Sequence, residues 1–352
     1  MDTFDDTPEL IEEAHRVYET HFAPVTSFER AVFFSWGCTI GDCTFCYMST
    51  QPVGKAPKET KRSDASILAE FILAKKLGWD IGFFTGGIGV LKPDELETLL
   101  KVIVQITGEK IWLSVGPIPR PLLLRYQPYI RGVVGSTETI NPVLHKIVCP
   151  SKPLAPYEKM FEVAGELGLE KAMTFIVGMG ETKEDLNLLI EFIRKYDINK
   201  IHVYSLIPEK GTMFEHAAIP SKEEQAWWIA SLRIVFPTLN IQCGVWEDRV
   251  ERIAYLLEAG ANSISKFKAL KLFGKPVAHQ IEEEAARAGR MFQGTLVVMP
   301  EVDWRGEVDR LDAESELKER IWKCLVQYLE RMRKNTQICN TQKNSVVVKN
   351  IS

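Results

Sequence analysis

Residues 36–47 read Trp36-Gly37-Cys38-Thr39-Ile40-Gly41-Asp42-Cys43-Thr44-Phe45-Cys46-Tyr47, so three cysteines lie within nine residues. The run follows an apolar segment with the composition of a β-strand, which places the three thiols on one loop. Structural zinc usually takes four protein ligands, and most iron–sulfur clusters also use four cysteines. Three close ligands favour a 4Fe–4S cluster with one iron left open. A zinc site or an iron–sulfur site of another kind stays open at this point.

The composition is that of an ordinary globular chain. The 352 residues are 45% hydrophobic and 26% charged, with a formal net charge of −4, so we expect no nucleic-acid partner. No apolar run reaches about 18 residues, and the acidic start of the chain has no signal-peptide core, so we expect no membrane contact. Seven cysteines, three of them clustered, favour a reducing cytoplasm and metal ligation over disulfides.

Apolar segments and amphipathic segments alternate along the chain between residues 31 and 265. The predicted strands are 31–36, 81–84, 111–115, 132–134, 173–177, 201–206, 239–243 and 262–264. The predicted helices between them are 64–77, 93–106, 120–126, 156–167, 185–196, 222–235 and 248–259. About eight βα units with short connections predict an α/β fold, a (β/α)8 TIM-type or nearly closed barrel of parallel strands.

The barrel is flanked by segments of other composition. We expect an N-terminal helical segment over 1–29, with a helix at 8–22, and the barrel over 30–275. A C-terminal helical extension over 276–334 follows, with helices at 280–288 and 313–333. Residues 335–352 are polar and rich in Asn, Lys, Gln and Ser, which predicts a disordered tail.

In a barrel of this kind the active site lies at the carboxyl ends of the strands. The cysteine loop, Gly86-Gly87, Glu138 and the turn 178–182 would all lie at that end. Taken singly, the glycines are also explained as residues that close tight turns, and Glu138 as a carboxylate at a helix start. Several unusual turns at one end of the barrel favour an enzyme.

The cysteine loop resembles the cluster motif of the radical S-adenosylmethionine (SAM) superfamily. That motif spaces its cysteines by three and then two residues, with an aromatic residue before the third, and here Phe45 stands at that position. The first gap has four residues, which departs from the usual form. Residues 176–185 resemble the fifth-strand turn of biotin synthase, and residues 138–145 the fourth-strand turn of hydrogenase-maturation and pyrrolysine-pathway members. The resemblance covers about residues 30–275.

The resemblance implies a 4Fe–4S cluster bound by Cys38, Cys43 and Cys46, SAM on its open iron, and an external electron donor. Reductive cleavage of SAM would give a 5′-deoxyadenosyl radical that abstracts hydrogen from an unactivated carbon. The family's glycine turn corresponds to Thr85, Gly86 and Gly87, although Ile88 stands where the family often has Glu. The resemblance also assigns Glu138 to the ribose or the methionyl amine. The remaining residues expected at the SAM site are Phe45, Tyr47, Gly178 and Glu181.

The sequence says less about the specific reaction than about the cofactors. Biotin synthase holds a second cluster by cysteines on three strands that carry none here. Cys149 and Cys243 are candidates to face the barrel mouth and hold an auxiliary cluster, or are ordinary buried thiols.

The flanks of the cysteine loop resemble the prokaryotic two-protein lipoyl synthases. This likeness implies sulfur insertion into a protein-bound octanoyl chain, with an octanoylated lipoyl-carrier protein and a second radical SAM protein as partners. A radical step in guanylylpyridinol cofactor biosynthesis, whose enzymes also widen the first cysteine gap, is the alternative. A cluster-bearing scaffold or electron carrier without SAM turnover is the third possibility.

Overall fold

A parallel sheet of eight strands in consecutive order forms the centre of the computed structural model, which describes residues 4–50 and 54–349, with side chains up to residue 337. The short strand β1 (Val25–Ser27) precedes this sheet. The strands of the sheet are β2 (Glu29–Phe33), β3 (Asp80–Thr85), β4 (Ile111–Ser114), β5 (Ile130–Glu138), β6 (Glu170–Val177), β7 (Lys200–Ser205), β8 (Asn240–Gly244) and β9 (Ser263–Ser265). A parallel bridge between Phe28 and Ile264 brings β9 back beside β2. The predicted nearly closed barrel is therefore confirmed.

Helices surround the barrel and extend from both of its ends. Those up to the middle of the chain are α1 (Thr7–His21), α2 (Tyr47–Thr50), α3 (Asp64–Lys76), α4 (Pro93–Thr107), α5 (Arg120–Tyr126), α6 (Pro142–Val148) and α7 (Ala155–Glu166). The later ones are α8 (Asp185–Tyr196), α9 (Lys222–Val235), α10 (Ile253–Glu258), α11 (Ala269–Leu272), α12 (Pro276–Arg287), α13 (Trp304–Asp309) and α14 (Ser315–Lys349). Short 3-10 turns lie at Pro57–Thr60 and Val250–Arg252. A last strand, β10 (Met291–Gln293), pairs in parallel with β1.

The structure departs from the sequence prediction mainly at the ends of elements and in the extensions. Strand β5 runs four residues past its predicted end, and α6 and the β1–β10 pair were not predicted. Helix α14 continues to Lys349, through most of the segment 335–352 for which the composition predicts a disordered tail; residues 350–352 lie outside the described part. Once the packed half of a helix has formed, each further residue adds one backbone hydrogen bond, so polar residues continue it.

The barrel strands are buried on both faces, which is why they read as continuous apolar runs. Every residue of β7 is buried, as are the last seven residues of β6. Inside the barrel, Phe83, Trp112, Val134 and Ala172 form a small apolar layer. The much larger core lies between the outer faces of the strands and the helices. The inside of the barrel is therefore packed with an apolar layer. Side chains at the carboxyl ends of the strands lie above this layer and can form a site.

The C-terminal extension is joined to the first barrel strand by a buried polar network. The guanidinium of Arg62 donates to the backbone oxygen of Phe33 at 2.8 Å and to the hydroxyl of Tyr328, on α14, at 3.2 Å. The same guanidinium lies 2.7 Å from the carboxylate of Glu70, which also accepts from Arg30 at 2.6 Å. Helix α14 therefore belongs to the packing that holds β2 in place.

Within the described ranges, no helix combines the length and the apolar character that crossing a membrane requires.

A buried ion pair near the amino ends of the strands gives a test of this core. Both carboxylate oxygens of Glu29 accept from the ammonium of Lys200, at 2.6 and 2.7 Å, and both side chains are more than nine-tenths buried. Glu29→Gln leaves the Lys200 charge buried without a partner, so we expect the free energy of unfolding to fall by about 3–5 kcal/mol. Urea unfolding followed by circular dichroism measures it.

The control is Glu170→Gln, which removes the half-exposed pair with Arg131 and should change stability by less than about 1 kcal/mol. Equal small effects of both substitutions would show that the buried pair is not part of what stabilises the barrel.

Candidate active site

One cavity of about 610 Å³ opens at the carboxyl ends of the barrel strands and continues into the barrel. We call it the central cavity. The sequence-predicted residues that line it are Cys38, Cys43, Phe45, Cys46, Tyr47, Thr85, Gly86, Gly87 and Glu138. The fold thus brings together the cysteine loop after β2, the glycine turn after β3 and the carboxylate at the end of β5.

The cysteine loop and the glycine turn are hydrogen-bonded to each other. The backbone N–H and the hydroxyl of Thr39 both donate to the backbone oxygen of Ile88, at 3.0 and 2.8 Å. The backbone N–H of Gly87 donates to the hydroxyl oxygen of Ser35 at 3.0 Å, and that hydroxyl donates to the backbone oxygen of Gly37 at 3.1 Å. Ser35 therefore joins both segments from the end of the strand that precedes the cysteines.

The second half of the cysteine loop is held from the other side of the cavity. The backbone N–H of Thr44 donates to the oxygen of Val148 at 2.9 Å, and the oxygen of Thr44 accepts from Met213 at 2.9 Å. The end of α6 and the segment after β7 thus fix the loop between Cys43 and Cys46. These backbone contacts and the packing of Cys43 and Phe45 against a small apolar cluster together set its position.

Gly87 shows how closely the two segments approach. A Cβ atom built at Gly87 would lie 1.7 Å from the backbone oxygen of Gly37 and 2.5 Å from the Cα of Cys38. No side chain fits at that distance, so this position requires glycine. The glycine turn therefore packs against the backbone of the first cysteine, as a turn that contacts a ligand on the adjacent iron must.

The three thiols line the cavity but are not gathered around one point. In the part of the chain that the structure describes, no three His, Cys, Asp or Glu side chains are grouped closely enough to hold a metal ion as they stand. Burial raises the pKa of Cys46 to about 12, whereas a hydrogen bond with Cys149 lowers the pKa of Cys43. Iron ligation requires thiolates and would release these protons.

The donor set nevertheless fits a 4Fe–4S cluster. Thiolates are the soft ligands that such clusters take, and all three thiols stand on one wall of a cavity with room beyond them. The loop that carries them is held by hydrogen bonds at Thr39 and at Thr44. Cys38, Cys43 and Cys46 are the residues that would hold the cluster.

Glu138 is aimed into the cavity by a distortion of β5. The register between β5 and β6 shifts between Gly135 and Glu138, and Glu138 has a φ of 63°, a value that residues with side chains rarely adopt. Its carboxylate accepts from the ammonium of Lys152 at 3.0 Å and from the hydroxyl of Thr174 at 2.9 Å. Backbone strain of this kind is concentrated at functional sites.

Lys152 is a cavity residue that the sequence did not reveal. Burial opposes its charge, but the carboxylate of Glu138 together with Tyr157, Cys149 and Cys43 outweighs burial and holds the Lys152 pKa well above its ordinary value. The residue lies in the loop after α6, where no motif distinguishes it, and only the fold of that loop brings it to Glu138. The pair supplies one fixed positive and one fixed negative group to the cavity wall.

Two residues expected at the SAM site do not line the cavity. The carboxylate of Glu181 folds back on its own turn and accepts from the backbone N–H groups of Gly178, at 2.5 Å, and Met179, at 2.9 Å. Gly178 has a φ of 99° and packs against Pro220. Both residues serve the turn after β6 and neither lines the central cavity, and their contact with SAM stays a prediction.

The two thiols expected to hold an auxiliary cluster are also buried away from the cavity wall. Gly244, next to Cys243 on β8, faces the inside of the barrel, and successive strand residues face opposite sides. Cys243 therefore points outward, into the core under the helices, where its sulfur lies 3.4 Å from the backbone oxygen of Ser263. Cys149 is packed behind Cys43 and Phe45. Neither thiol lines the central cavity, so of the two alternatives the structure favours ordinary buried thiols over a common cluster.

Comparison with known proteins agrees with this geometry. The sequence pattern of the Radical SAM superfamily matches residues 32–193. An uncharacterized protein of Methanocaldococcus jannaschii is 37% identical over 293 residues, which cover 82% of this chain and 81% of that protein. Biotin synthase of Thermotoga neapolitana is 24% identical over 235 residues, which cover 66% of this chain and 80% of that enzyme.

Solved structures share the fold at low sequence identity. The crystal structure of methylornithine synthase matches with a TM-score of 0.65 at 19% identity, covering 75% of this chain and 79% of that one. The FeFe-hydrogenase maturase HydG from Carboxydothermus hydrogenoformans matches with a TM-score of 0.68 at 16% identity, covering 98% and 87%. The chain belongs to the radical SAM superfamily, in its biotin synthase-like branch. That family membership implies a 4Fe–4S cluster and SAM as cofactors.

The contact at Gly87 predicts the effect of a single methyl group. Gly87→Ala must displace the backbone of Gly37 and Cys38, so we expect the iron content after anaerobic reconstitution to fall by at least half. The control, Gly165→Ala, lies on the exposed face of α7 with 3.4 Å to its nearest neighbour and should keep full iron. Full iron in both variants would show that the two turns need not touch for the cluster to bind.

Glu138 predicts a loss of SAM affinity. Glu138→Gln keeps the shape of the side chain and removes its charge, and a hydrogen bond to a charged group contributes about 1.5–3 kcal/mol. We therefore expect SAM to bind roughly tenfold to hundredfold more weakly, measured by equilibrium dialysis on reconstituted protein. Glu162→Gln, at an exposed position on α7, is the control. If the Glu138→Gln variant keeps its cluster and binds SAM with unchanged affinity, Glu138 does not bind SAM and only neutralises Lys152.

Proposed function

We propose that this radical SAM enzyme abstracts a hydrogen atom from an unactivated carbon of a substrate bound inside its barrel. The observation that carries the proposal is the continuity of the central cavity. The same space touches the three thiols, the glycine turn and Glu138, and then extends between the strands to Phe83. A substrate in the inner part would lie next to a cofactor bound at the mouth.

When bound by Cys38, Cys43 and Cys46, the cluster would supply, with SAM and one electron from a low-potential donor, the radical chemistry that takes a hydrogen atom from an unactivated carbon and releases methionine and 5′-deoxyadenosine. The protein positions the groups and excludes water. Gly86 and Gly87 leave their backbone free to approach the methionyl end of SAM, and Glu138 would accept from its amine or ribose. Phe45 and Tyr47 would flank the adenine.

Sulfur insertion into a protein-bound octanoyl chain has support in the apolar part of the cavity wall. Ile88, Ile176, Leu206 and Ile207 line it and suit an aliphatic chain. Against this reaction stands the position of Cys149 and Cys243, neither of which lines the cavity. If the octanoyl group is the substrate, this chain supplies the hydrogen abstraction. The second radical SAM protein then supplies the sulfur, and the octanoylated lipoyl-carrier protein presents the chain.

The radical step in guanylylpyridinol cofactor biosynthesis fits the thiol positions more directly. It requires only the cluster that binds SAM, and the four-residue gap between Cys38 and Cys43 matches the widened gap of that group. We therefore place it ahead of sulfur insertion as the specific reaction. A carrier without turnover has no use for the glycine turn, the strained Glu138 and a cavity that continues past them.

Iron analysis and product analysis test the proposal together. Anaerobically reconstituted protein should hold about four irons per chain, and with dithionite and SAM it should form 5′-deoxyadenosine, detected by mass spectrometry. Replacement of Cys38, Cys43 and Cys46 by Ala should abolish both.

The control, Cys243→Ala, should retain both the iron and the product, because Cys243 points into the outer core. Intact SAM or S-adenosylhomocysteine as the sole product would contradict homolytic cleavage. About eight irons would restore the reading in which this chain carries its own sulfur-donating cluster.

A further inference from the structure

A second polar group of residues lies in the central cavity, on the side of the barrel formed by β7, β8 and β9. It consists of Tyr204, Ser265 and Lys266, all of which line the cavity, and we call it the Lys266 cluster. Gly244, on the strand between them, makes room for it. A Cβ there would lie 2.3 Å from a ring carbon of Tyr204 and 3.1 Å from the Cγ of Lys266. The absence of a side chain at Gly244 is what lets the tyrosine ring and the lysine stem lie together.

Lys266 differs from the other inward cations of the cavity. Lys152 is paired with Glu138, and Arg30 with Glu70. The ammonium of Lys266 makes no ion pair or hydrogen bond to any residue that the structure describes, and it lies 4.1 Å from the ring centroid of Tyr204. An aromatic face attracts a cation but does not neutralise it. Burial lowers the pKa of Lys266 and the carboxylate of Glu138 opposes that shift, so the site presents an amine without an ion-pair partner among the described residues.

The backbone of Lys266 adopts a strained conformation, which fixes the position of its side chain. Lys266 has a φ of 71°, and in the described part of the chain only Glu138 and Asp197 share a positive φ among residues other than glycine. Two of these three residues are charged and line the same cavity. Strain of this kind persists where the surrounding structure fixes it for a function.

Two hydroxyl groups lie beside the lysine. The Tyr204 and Ser265 oxygens are buried and interact with each other, and neither forms a hydrogen bond of ordinary length and angle with a third group of the described residues. Burial holds the Tyr204 pKa well above its ordinary value, so the phenol keeps its proton and can donate. One ammonium and two hydroxyls are a donor set suited to an anion.

We propose that the Lys266 cluster binds the carboxylate of the substrate, so that the substrate class is an organic acid with an apolar body. This inference rests on the proposed function and deepens it. The features that the family assigns to SAM follow β2, β3 and β5, whereas the cluster belongs to β7 and β9, of which β9 lies beside β2. Trp246, Phe267 and Leu270 line the wall beside it and supply apolar surface. The single charge and two oxygens of a carboxylate match one ammonium and two hydroxyls.

The test compares octanoate with octanamide, which share a chain length and differ in charge. Their affinities for the full, reconstituted protein saturated with SAM are measured by isothermal titration calorimetry under anaerobic conditions. We expect octanoate to bind about tenfold to hundredfold more tightly than octanamide. Lys266→Gln should remove this preference, and Lys266→Arg should retain most of it. The control is Lys268→Gln, at the exposed rim, where the ammonium is already paired with Glu247 at 2.6 Å.

Tyr204→Phe provides a second variant that keeps the ring under Lys266 and removes one donor. It should weaken octanoate severalfold and leave octanamide unchanged. Equal affinity of the two probes for the wild-type protein would overturn the proposal, and so would a preference that survives Lys266→Gln. Loss of SAM affinity by tenfold or more in Lys266→Gln, without a change in the preference, would overturn it as well, because the lysine would then serve the carboxylate of SAM.

Failure of the proposed function has a different signature. If the wild-type protein forms no 5′-deoxyadenosine from SAM and dithionite, radical chemistry is excluded, whatever the calorimetry gives. If it forms 5′-deoxyadenosine but does not distinguish octanoate from octanamide, the proposed function stands and the carboxylate site is wrong.

Discussion

The contact between Gly87 and the backbone of Gly37 and Cys38 is the constraint on which the rest of the site depends. Two loops from adjacent strands meet there without side chains between them, and hydrogen bonds through Ser35 and Thr39 hold them together. The thiols and the glycine turn therefore keep one separation before any cofactor binds. Groups that must act on the two ends of one small molecule gain most when their spacing is fixed in advance by backbone.

Buried charged side chains in the barrel are also held in fixed positions. Near the amino ends of the strands the Glu29 carboxylate is matched by Lys200, and at the opposite end Glu138 is matched by Lys152. Such pairs are stable only when both partners are present, so they fix local geometry without adding net charge. Lys266 has no such partner among the described residues, and it lines the same cavity as the Glu138–Lys152 pair. The two ion pairs fix the local geometry of the barrel, and Lys266 is the group that we propose binds the substrate.

The sequence predicts the barrel well because parallel strands covered on both faces leave long apolar runs that end in glycine turns. The cysteine loop and Glu138 were found for the same reason, since each stands directly after such a run. It is harder to predict which side of the barrel wall a strand residue faces. Cys243 was expected at the mouth, but a shift of one residue along a strand exchanges inside for outside, and the preceding run gives no exact register. Lys152 and Lys266 were missed because their surroundings depend on a loop and on a distant glycine, not on neighbours in the chain.

The packing of the chain ends has a consequence for how the protein folds during synthesis. Strand β1, near the start, pairs with β10, about 265 residues later, and α14 contacts α3 and the Arg62 network beside β2. The first barrel strand therefore pairs with β3 early, but it gains β9 on its other side and the Arg62–Tyr328 contact only when those later segments have been made. Earlier strands must wait with part of their apolar surface uncovered, which is the condition under which chains of this size need chaperones. The barrel is fully packed only when β10 has paired with β1 and α14 has packed beside β2.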